Sequence, residues 1–324
     1  MRAAYIEHTG SAADIRYGGL PAPRPGPTDV LVDVIATTVN HVDTFVRSGA
    51  FPTPLPFPFV VGRDLVGRVA EAGPGAAGFR SGDLVWCNSL GYDGRQGAAA
   101  EQAVVPVDRL YRLPAEVEPE TAVTVLHPAA TAYLALFVHG RLRLGETVVV
   151  AGGAGNVGAA LVAFAAAAGA RVVATASAGD AEFCRRTGAA EVLDHRDPDL
   201  IDRLRSACPD GIAVYLDTAG RNELEPVIDL LARRGRIVLL AGAGARPVLP
   251  VGPLYVNDRT VTGFVISHAT TAELAEAAGA VNRMLAAGRL APREVVPLAL
   301  AQVAEAHRMI EQGELRGRRA VITP

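Results

Sequence analysis

Hydrophobic residues in the first third of the chain occur in short runs that are separated by glycine and proline. β-Branched residues dominate Val30–Ile35 and recur in Leu65–Ala70, and a glycine turn opens a third run at Gly82–Trp86, so we predict three strands. Prolines cluster in Pro21–Pro27 and Pro52–Pro58, and these clusters predict loops because proline lacks a backbone donor. Short strands at this spacing are typical of a small barrel or sandwich.

From Thr121 onward the pattern changes to long apolar helices that alternate with buried strands. Alternation of strand and helix predicts a parallel, doubly wound sheet. The predicted strands of this sheet are Thr147–Ala151, Arg171–Thr175, Ala213–Asp217 and Arg236–Ala241, with one more in the region Gly263–Ser267. The pattern ends with two helices and a strand, at Ala272–Ala287, Ala301–Gln312 and Arg319–Thr323.

The composition is that of an ordinary globular protein, with 50% hydrophobic and 20% charged residues in a chain of 324, which is long enough for two domains. A net charge of −3 provides no basic surface, so we expect neither nucleic acid nor a membrane as a partner. All 31 basic residues are arginine. The absence of lysine excludes Schiff-base chemistry and any lysine acid or base.

Cysteine usage and the N-terminus both favour the cytoplasm. Cys87, Cys184 and Cys208 are widely spaced and form no C-x-x-C pair, which predicts no disulfide framework. The N-terminus has no apolar run of the kind found in signal peptides. The longest apolar run, Val157–Ala170, is too short to span a bilayer.

A glycine-rich turn joins a run of three valines to an alanine-rich helix, which is the order strand, tight turn, helix. A dinucleotide needs this order because its pyrophosphate lies against backbone N–H groups at a helix N-terminus, where a side chain would block its approach. The G-K-[ST] sequence of a P-loop is absent. We therefore predict a nicotinamide dinucleotide, bound by Gly152, Ala154, Gly155, Asn156, Val157 and Gly158.

The end of the second strand predicts NADPH rather than NADH. NAD-selective sites place an acidic residue about 20 residues past the glycines, where it binds the ribose 2′-hydroxyl. Here the chain reads Ala174–Ser177 and has no carboxylate, so a 2′-phosphate near Ser177 is not repelled. Positively charged or protonatable side chains that could face this phosphate are Arg185, Arg186, His195 and Arg196.

The chain resembles the medium-chain dehydrogenase/reductase superfamily and, within it, the zinc-independent quinone oxidoreductase (zeta-crystallin) family. Each matching motif is weak alone, but six of them occur in the family's order along the whole chain. They are Asn40–Gly49 (N-x-x-D-x-x-x-R-x-G), Pro56–Gly67 (P-x-x-x-G-x-[DE]-x-x-G), Gly82–Val85 (G-D-x-V), Ala130–Tyr133, the turn at Gly152, and Gly317–Arg319.

The resemblance implies a GroES-like β-barrel catalytic domain of residues 1–120, completed by 265–324, and a Rossmann NADPH-binding domain of residues 121–264. By similarity, Asn40 and Thr131 line the nicotinamide pocket. The further cofactor contacts implied by the family are His195 and Arg196 at the 2′-phosphate, Gly242 and Phe264 near the nicotinamide, and Arg318 near the last strand. The family also implies a homodimer.

A metal is not expected. Zinc alcohol dehydrogenases of the same superfamily bind zinc through cysteine and histidine, whereas Asn40 and Arg63 occupy the first two ligand positions here. Zinc needs thiolate, imidazole or carboxylate ligands in a near-tetrahedral array. The cysteines of the family's structural zinc lobe are also missing, so Lewis-acid interconversion of carbonyl and alcohol is disfavoured.

The remaining chemistry is hydride delivery to an electron-poor acceptor, either a quinone or an α,β-unsaturated carbonyl. Related enoyl reductases have a tyrosine, thought to be a proton donor, where this chain has Phe51, so the source of the proton is open. Asn40 has two amide donors that could polarise the acceptor carbonyl. Other candidate acids are His41, Tyr92 and Tyr133, and the predicted pocket wall is Phe51, Phe57 and Trp86.

Two alternatives to a quinone or enone reductase stay open. Ala174–Ser177 also resembles the enoylreductase modules of polyketide synthases, which favours an enoyl-thioester substrate. The second alternative is a protein that binds NADPH with little or no catalysis, because the tyrosine is missing. A short-chain reductase is excluded, since its Y-x-x-x-K motif requires a lysine.

Overall fold

The computed structural model describes all 324 residues. In chain order the strands are β1 (Arg2–Ile6), β2 (Arg16–Gly19), β3 (Asp29–Thr37), β4 (Phe59–Val60), β5 (Leu65–Ala72), β6 (Leu84–Cys87), β7 (Gln102–Pro106), β8 (Tyr111–Arg112), β9 (Thr147–Ala151), β10 (Arg171–Ala176), β11 (Glu191–Asp194), β12 (Ile212–Asp217), β13 (Leu231–Leu239), β14 (Thr260–Gly263), β15 (Val295–Ala299) and β16 (Arg319–Thr323). The helices are α1 (His41–Ser48), α2 (Pro119–Val123), α3 (Leu126–Tyr133), α4 (Asn156–Ala167), α5 (Ala181–Thr187), α6 (Leu200–Ala207), α7 (Leu224–Leu230), α8 (Val251–Val256), α9 (Thr271–Ala286) and α10 (Val303–Glu311). None of these helices has the length and apolarity needed to cross a bilayer.

The chain folds into two compact units, and the first consists of residues 1–127 and 270–324. It contains a three-stranded sheet in the order β2-β1-β4 and a seven-stranded sheet in the order β15-β16-β3-β5-β6-β8, with β7 also paired to β3. Val30, Val32 and Leu65 are fully buried in the core of the larger sheet. The last strand, β16, runs antiparallel to β3 through Ile322 and Thr37, which ties the C-terminal segment into this unit.

The second unit, residues 128–269, is built on a six-stranded sheet in the order β11-β10-β9-β12-β13-β14. Every neighbouring pair in it is parallel, which confirms the predicted doubly wound sheet. Val148–Val150 in β9 are fully buried because helices cover a parallel sheet on both faces. The chain runs from β9 outward to β11 and then returns to β12 beside β9, so the strand order reverses between β9 and β12.

Most predicted elements are close to the observed ones. The bounds of β9 and β16 match the prediction, whereas β13 starts five residues before the predicted Arg236. The strand predicted at Gly263–Ser267 is wrong: β14 ends at Gly263, where it pairs with Leu239, and Ile266–His268 forms a short 3₁₀ helix. The prediction missed the four-residue β11, in which two central apolar residues lie between acidic ends.

Candidate cofactor and acceptor sites

Five of the predicted cofactor residues lie at one edge of the six-stranded sheet. Gly152, Ser177, His195 and Phe264 each directly follow the last residue of a strand, and Gly242 comes three residues after β13. Because the strands are parallel, all five positions lie at their carboxyl ends. In open parallel sheets this edge binds ligands at the point where the strand order reverses. Here that point lies at Gly152, which follows β9.

The turn after β9 is closed by its own backbone. The N–H groups of Gly152 and Gly153 donate to the Thr175 carbonyl at 3.2 and 2.9 Å, and Gly155 N–H donates to the Gly152 carbonyl at 3.0 Å. Gly152 has φ +84, which favours glycine. A Cβ on Gly158 would collide with the Gly152 carbonyl oxygen, so the first turn of α4 packs directly on the glycine turn.

The geometry at the start of α4 fits a pyrophosphate. Gly155 is the N-cap residue and no side chain caps the helix, so the first-turn N–H groups have no side-chain acceptor. Gly155 and Asn156 are exposed, and Ala154 and Val157 are half-buried. A Cβ on Gly155 would meet only the Gly152 oxygen, at 3.3 Å. A side chain at position 155 therefore requires a shift of only a few tenths of an ångström in the fold, but it would occupy the space of a pyrophosphate bound against these N–H groups.

A second turn at the same edge, after β12, was missed by the sequence reasoning. Asp217 is buried, and its carboxylate accepts the N–H groups of Ala219, Gly220 and Asn222 at 2.9, 2.8 and 2.6 Å. Thr218 donates to the Ala151 carbonyl at 2.7 Å and thereby joins this turn to the glycine turn. The only sequence signal was a polar D-T-A-G segment directly after a buried strand.

Gly242 packs tightly against the turn after β12. It has φ +83, and a Cβ there would collide with the Asn222 side-chain nitrogen and the Gly220 backbone. Asn222 itself donates to the Ala241 carbonyl at 3.3 Å. The predicted cofactor residue Gly242 is therefore also required by the local packing of the sheet edge.

Ser177 and His195 leave neighbouring strands side by side, since Ala176 in β10 is paired with Asp194 in β11. The Ser177 hydroxyl donates to the Asp180 carboxylate at 2.7 Å. His195 Nδ1 lies 3.8 Å from an oxygen of the Asp194 carboxylate. Arg196 is exposed. This cluster holds an arginine, an imidazole and carboxylates beside the predicted 2′-phosphate position.

The other arginines near this cluster differ in their contacts. Arg185 and Arg186 lie on α5, each 3.7 Å from the Glu182 carboxylate. Arg221, which the sequence reasoning did not single out, donates from Nη1 to the His195 carbonyl at 2.9 Å and from Nη2 to Glu223 at 2.8 Å. Arg221 therefore holds the segment that carries His195.

The predicted nicotinamide residues of the second unit lie on separate elements. Thr131 is half-buried on α3. The ring of Phe264 stacks on the imidazole of His139, with 4.1 Å between ring centroids and 15° between planes. The candidate acid Tyr133 packs against Phe137 and Phe164, with centroids 4.9 and 6.1 Å apart.

In the first unit, Asn40 is the centre of a buried polar cluster. It is the N-cap residue of α1, and its backbone N–H donates to the Asp43 carboxylate at 2.7 Å. Its side-chain nitrogen donates to Asp64 Oδ2 at 3.1 Å, and its side-chain oxygen accepts from Arg319 Nη2 at 2.9 Å. Each of these four residues is at most 5% exposed.

Charges in this cluster are only partly compensated. Burial raises the pKa of Asp43 to about 6, although Arg63 opposes the shift, with its Nε 3.9 Å from the Asp43 carboxylate. Burial, with Asp43 as a second cause, raises the pKa of Asp64 to about 8. Burial also lowers the pKa of Arg63 and of Arg319. The low dielectric of the site therefore favours a neutral Asp64 carboxyl at neutral pH.

Aromatic residues of the predicted pocket have different environments. Phe51 is half-buried and stacks on Tyr92, with centroids 5.6 Å apart and ring planes at 12°. Phe57 is 47% exposed. The assignment of Trp86 to the pocket wall is wrong, because its side chain is fully buried and its Nε1 donates to Asn282 at 3.0 Å.

The remaining predicted groups are peripheral within the first unit. Arg318 is half-buried, and its Nη2 donates to the Glu314 carbonyl at 2.6 Å. His41 is exposed at the start of α1. No group of three histidine, cysteine, aspartate or glutamate side chains is arranged to hold a metal ion.

Comparison with known families matches two domain models to this chain. Residues 26–115 match an alcohol dehydrogenase GroES-like domain, and residues 156–283 match a zinc-binding dehydrogenase domain. The quinone oxidoreductase of Mus musculus is 30% identical over 295 residues, which cover 90% of this chain and 88% of the mouse protein. The fold and site thus define a two-domain oxidoreductase with a GroES-like and a Rossmann-type domain.

Solved structures agree over the full length. A mycobacterial protein in complex with NADPH is 29% identical with a TM-score of 0.85, and an NAD-dependent alcohol dehydrogenase is 29% identical with a TM-score of 0.88. Each comparison covers 100% of both chains. The chain belongs to the medium-chain dehydrogenase/reductase superfamily and, within it, to the quinone oxidoreductase family, which confirms the resemblance inferred from the motifs.

Proposed function

We propose that this oxidoreductase uses NADPH to reduce a quinone or an α,β-unsaturated carbonyl without a metal ion. The observation that carries the proposal is the uncapped N-terminus of α4 at Gly155, where a Cβ would meet only the Gly152 oxygen. Anions bind at such helix ends through backbone N–H groups and the helix dipole. The mycobacterial relative solved with NADPH supports the same cofactor here. Bound at this edge, the cofactor supplies the hydride.

Preference for NADPH over NADH rests on the residues after β10 and β11. No carboxylate occupies the position directly after β10, where Ser177 stands, and His195 and Arg196 follow the neighbouring strand. A 2′-phosphate at this place gains charge-assisted hydrogen bonds from these side chains. Two carboxylates lie in the same cluster, and both already have hydrogen-bond partners. Asp180 accepts from the Ser177 hydroxyl, and Asp194 accepts from the Arg196 backbone N–H. We assign the phosphate to the side chains of Ser177, His195 and Arg196.

Independence from metal rests on the donor set of the first unit. Asn40 and Arg63 replace the cysteine and histidine ligands of the superfamily's zinc enzymes, and a guanidinium is not a zinc ligand. Arg63 and Arg319 are buried cations that lie beside the Asp43 and Asp64 carboxyls, the groups that a zinc site would need as ligands. Asn40, with Phe51 as an aromatic wall, forms the part of the proposed acceptor site that lies in the first unit.

Steady-state oxidation of NADPH with three acceptors tests this function. We expect turnover with 1,4-naphthoquinone or 2-cyclohexenone, with no change after treatment with EDTA. Faster turnover of crotonyl thioester would establish the alternative of an enoyl-thioester reductase. Tight NADPH binding by calorimetry without reduction of any acceptor would establish the binding-protein alternative, and stoichiometric zinc by elemental analysis would refute the metal-free mechanism.

We also propose that the protein is a homodimer that associates through β14. This strand is the edge of the six-stranded sheet, and α8 together with the segment that leads into it exposes apolar side chains before β14. The exposed residues are Val248, Leu249, Val251, Tyr255 and Val256. Unpaired edges and contiguous apolar patches favour association. Light scattering of the Tyr255→Glu variant should give a monomer, while a wild-type monomer at micromolar concentration would refute the interface.

The proposed compartment is the cytoplasm. It rests on the three cysteines, all of which are buried and none of which forms a disulfide. A reducing compartment suits such cysteines. Fractionation of the producing cells should recover the protein with cytoplasmic markers.

A further inference from the structure

The amide of Asn40 is held at both of its ends. Arg319 Nη2 donates to the amide oxygen at 2.9 Å, and the amide nitrogen donates to Asp64 Oδ2 at 3.1 Å. Arg319 is itself fixed, because the same Nη2 lies 3.4 Å from the Thr38 hydroxyl, which donates in turn to the Ala320 carbonyl at 2.6 Å. All of these side chains are buried.

The donor and acceptor chemistry determines which way the amide points. A guanidinium has only donors, so it must face the oxygen of Asn40 and not its nitrogen. A flipped amide would place its NH₂ group against Arg319 and its oxygen against the Asp64 oxygen. The flip would lose the hydrogen bond from Arg319 and set two donor groups against each other there, so Arg319 fixes the orientation even where the Asp64 carboxyl is neutral and can donate. The amide nitrogen has two hydrogens, and Asp64 Oδ2 takes one of them.

We propose that Arg319 and Asp64 are positioning residues that fix the Asn40 amide so that its second N–H donates to the carbonyl oxygen of the acceptor. The inference rests on the proposed function and identifies the acceptor chemistry as a carbonyl that becomes an oxyanion on reduction. A donor that is oriented before the reaction stabilises this developing charge without reorganisation. Arg319 and Asp64 act through Asn40 and do not touch the acceptor.

The cluster's composition supports a role in positioning. Asp43, Arg63, Asp64 and Arg319 place four ionisable groups in the core, and several of their polar atoms, including Asp64 Oδ1 and Arg319 Nε, have no hydrogen-bond partner. Apolar residues of similar size would give equal or greater stability at such a site. The cluster costs stability but fixes the Asn40 amide in one orientation. A function of this amide that needs the fixed orientation explains why the cluster is present.

Kinetics of matched variants test the catalytic half of the inference. Arg319→Met removes the guanidinium that holds the oxygen of the Asn40 amide. Because the Asn40 N–H then no longer points at the acceptor, kcat should fall about 100-fold, as when one oxyanion donor is removed, while NADPH affinity stays unchanged. Arg319→Lys keeps a group with only donors and should recover much of this loss. Asp64→Asn keeps an acceptor oxygen for Asn40 and should retain kcat, whereas Asp64→Leu should lower it as Arg319→Met does.

A double variant separates positioning from a general structural role. If Arg319 acts only through Asn40, then Arg319→Met should cause no further loss of kcat in an Asn40→Ala background. Additive losses, or an unchanged kcat in Arg319→Met, would overturn the inference. Melting temperatures of all variants show whether a loss of activity follows a loss of folding, and Arg319→Lys retains the buried charge if Arg319→Met fails to fold.

A measurement without turnover tests the orientation itself. In protein labelled with ¹⁵N-asparagine, the Asn40 side-chain signals are assigned by their loss in Asn40→Ala. Exchange of these amide hydrogens with water should be slow in the wild type and in Arg319→Lys, and about tenfold faster in Arg319→Met, as expected for one lost hydrogen bond. Equal exchange rates would refute the positioning role. The exchange measurement does not depend on turnover. Failure to reduce any acceptor would therefore refute the proposed function but not the positioning of the Asn40 amide.

Discussion

Gly158 packs so closely on the carbonyl oxygen of Gly152 that a Cβ at position 158 would collide with it. At Gly155, in the same turn, a Cβ would lie 3.3 Å from that oxygen, a tight contact that a shift of a few tenths of an ångström relieves. The two glycines therefore serve different purposes. Gly158 is required by the fold, while Gly155 is required by the ligand that the turn is proposed to bind.

This difference gives a matched pair of variants. Gly155→Asp should fold with a melting temperature close to that of the wild type, because the better N-cap propensity of aspartate, a few tenths of a kcal/mol, offsets the tight contact of its Cβ with the Gly152 oxygen. It should nevertheless abolish NADPH binding, since its carboxylate occupies the pyrophosphate position. Gly158→Ala should instead lower the melting temperature. Calorimetry and thermal unfolding measure both, and NADPH binding by Gly155→Asp at wild-type affinity would refute the placement of the cofactor.

Cofactor selectivity should depend on His195. In His195→Glu the new carboxylate faces the proposed 2′-phosphate, and repulsion of about 1.4 kcal/mol or more should weaken NADPH about tenfold or more while NADH changes little. Arg233→Glu is the control, because Arg233 is exposed near the start of β13, at the opposite end of the strands, and pairs with Asp258. Fluorescence titration with both cofactors measures the ratio. An equal loss for NADPH and NADH would place His195 away from the phosphate.

Asp64 should make the protein less stable as the pH rises from 6.5 to 8. Its pKa is about 8 in the folded state against 3.8 for an unperturbed aspartate, so the folded state holds a proton that the unfolded state has lost. The unfolding free energy then falls by up to about 1.4 kcal/mol per pH unit in this window and levels off above pH 8. Asp64→Asn should remove this part of the slope.

The range from pH 6.5 to 8 lies above most of the ionisation of His307 and Asp43. Burial lowers the pKa of His307 to about 3, from 6.5, which makes stability rise with pH below 6.5 and would mask the Asp64 effect there. Asp43, with a pKa of about 6, also completes most of its ionisation below the window. Denaturation at pH 6.5, 7.25 and 8 compares wild type with Asp64→Asn. Parallel curves for the two proteins would show that Asp64 ionises normally.

Arg236 should be the most important single charge for the stability of the second unit. It is 7% exposed, its Nε donates to the Gly140 carbonyl at 2.7 Å, and its two Nη atoms donate to the Glu146 carboxylate at 3.0 and 2.8 Å. Arg236→Met leaves these acceptors unpaired and should cost about 3 kcal/mol. The control Arg171→Met removes the half-exposed pair with Glu191 and should cost under about 1 kcal/mol. Equal effects in chemical denaturation would contradict this ranking.

The sequence by itself determined the strand-turn-helix unit from Thr147 to Ala167 and the final strand, because these elements follow from local patterns of β-branched, small and apolar residues. The same patterns placed Gly152 and Ser177 at the ends of strands, and parallel strands bring these predicted cofactor residues to one edge, whereas His195, Gly242 and Phe264 were predicted only from the family resemblance. Local patterns failed at β11, which is short and flanked by charges, and at β14, whose position depends on pairing with β13.

Only the tertiary structure decided the environment of Asn40 and Trp86. Asn40 meets Arg319 across 279 positions in the chain, and Trp86 meets Asn282 across 196. A local sequence pattern cannot predict which distant side chain completes a hydrogen bond. The partner of Asn40 depends on the pairing of β16 with β3, and the partner of Trp86 depends on the packing of α9. The sequence names the residues that can do the chemistry, and the fold decides how each is held, charged and shielded from water.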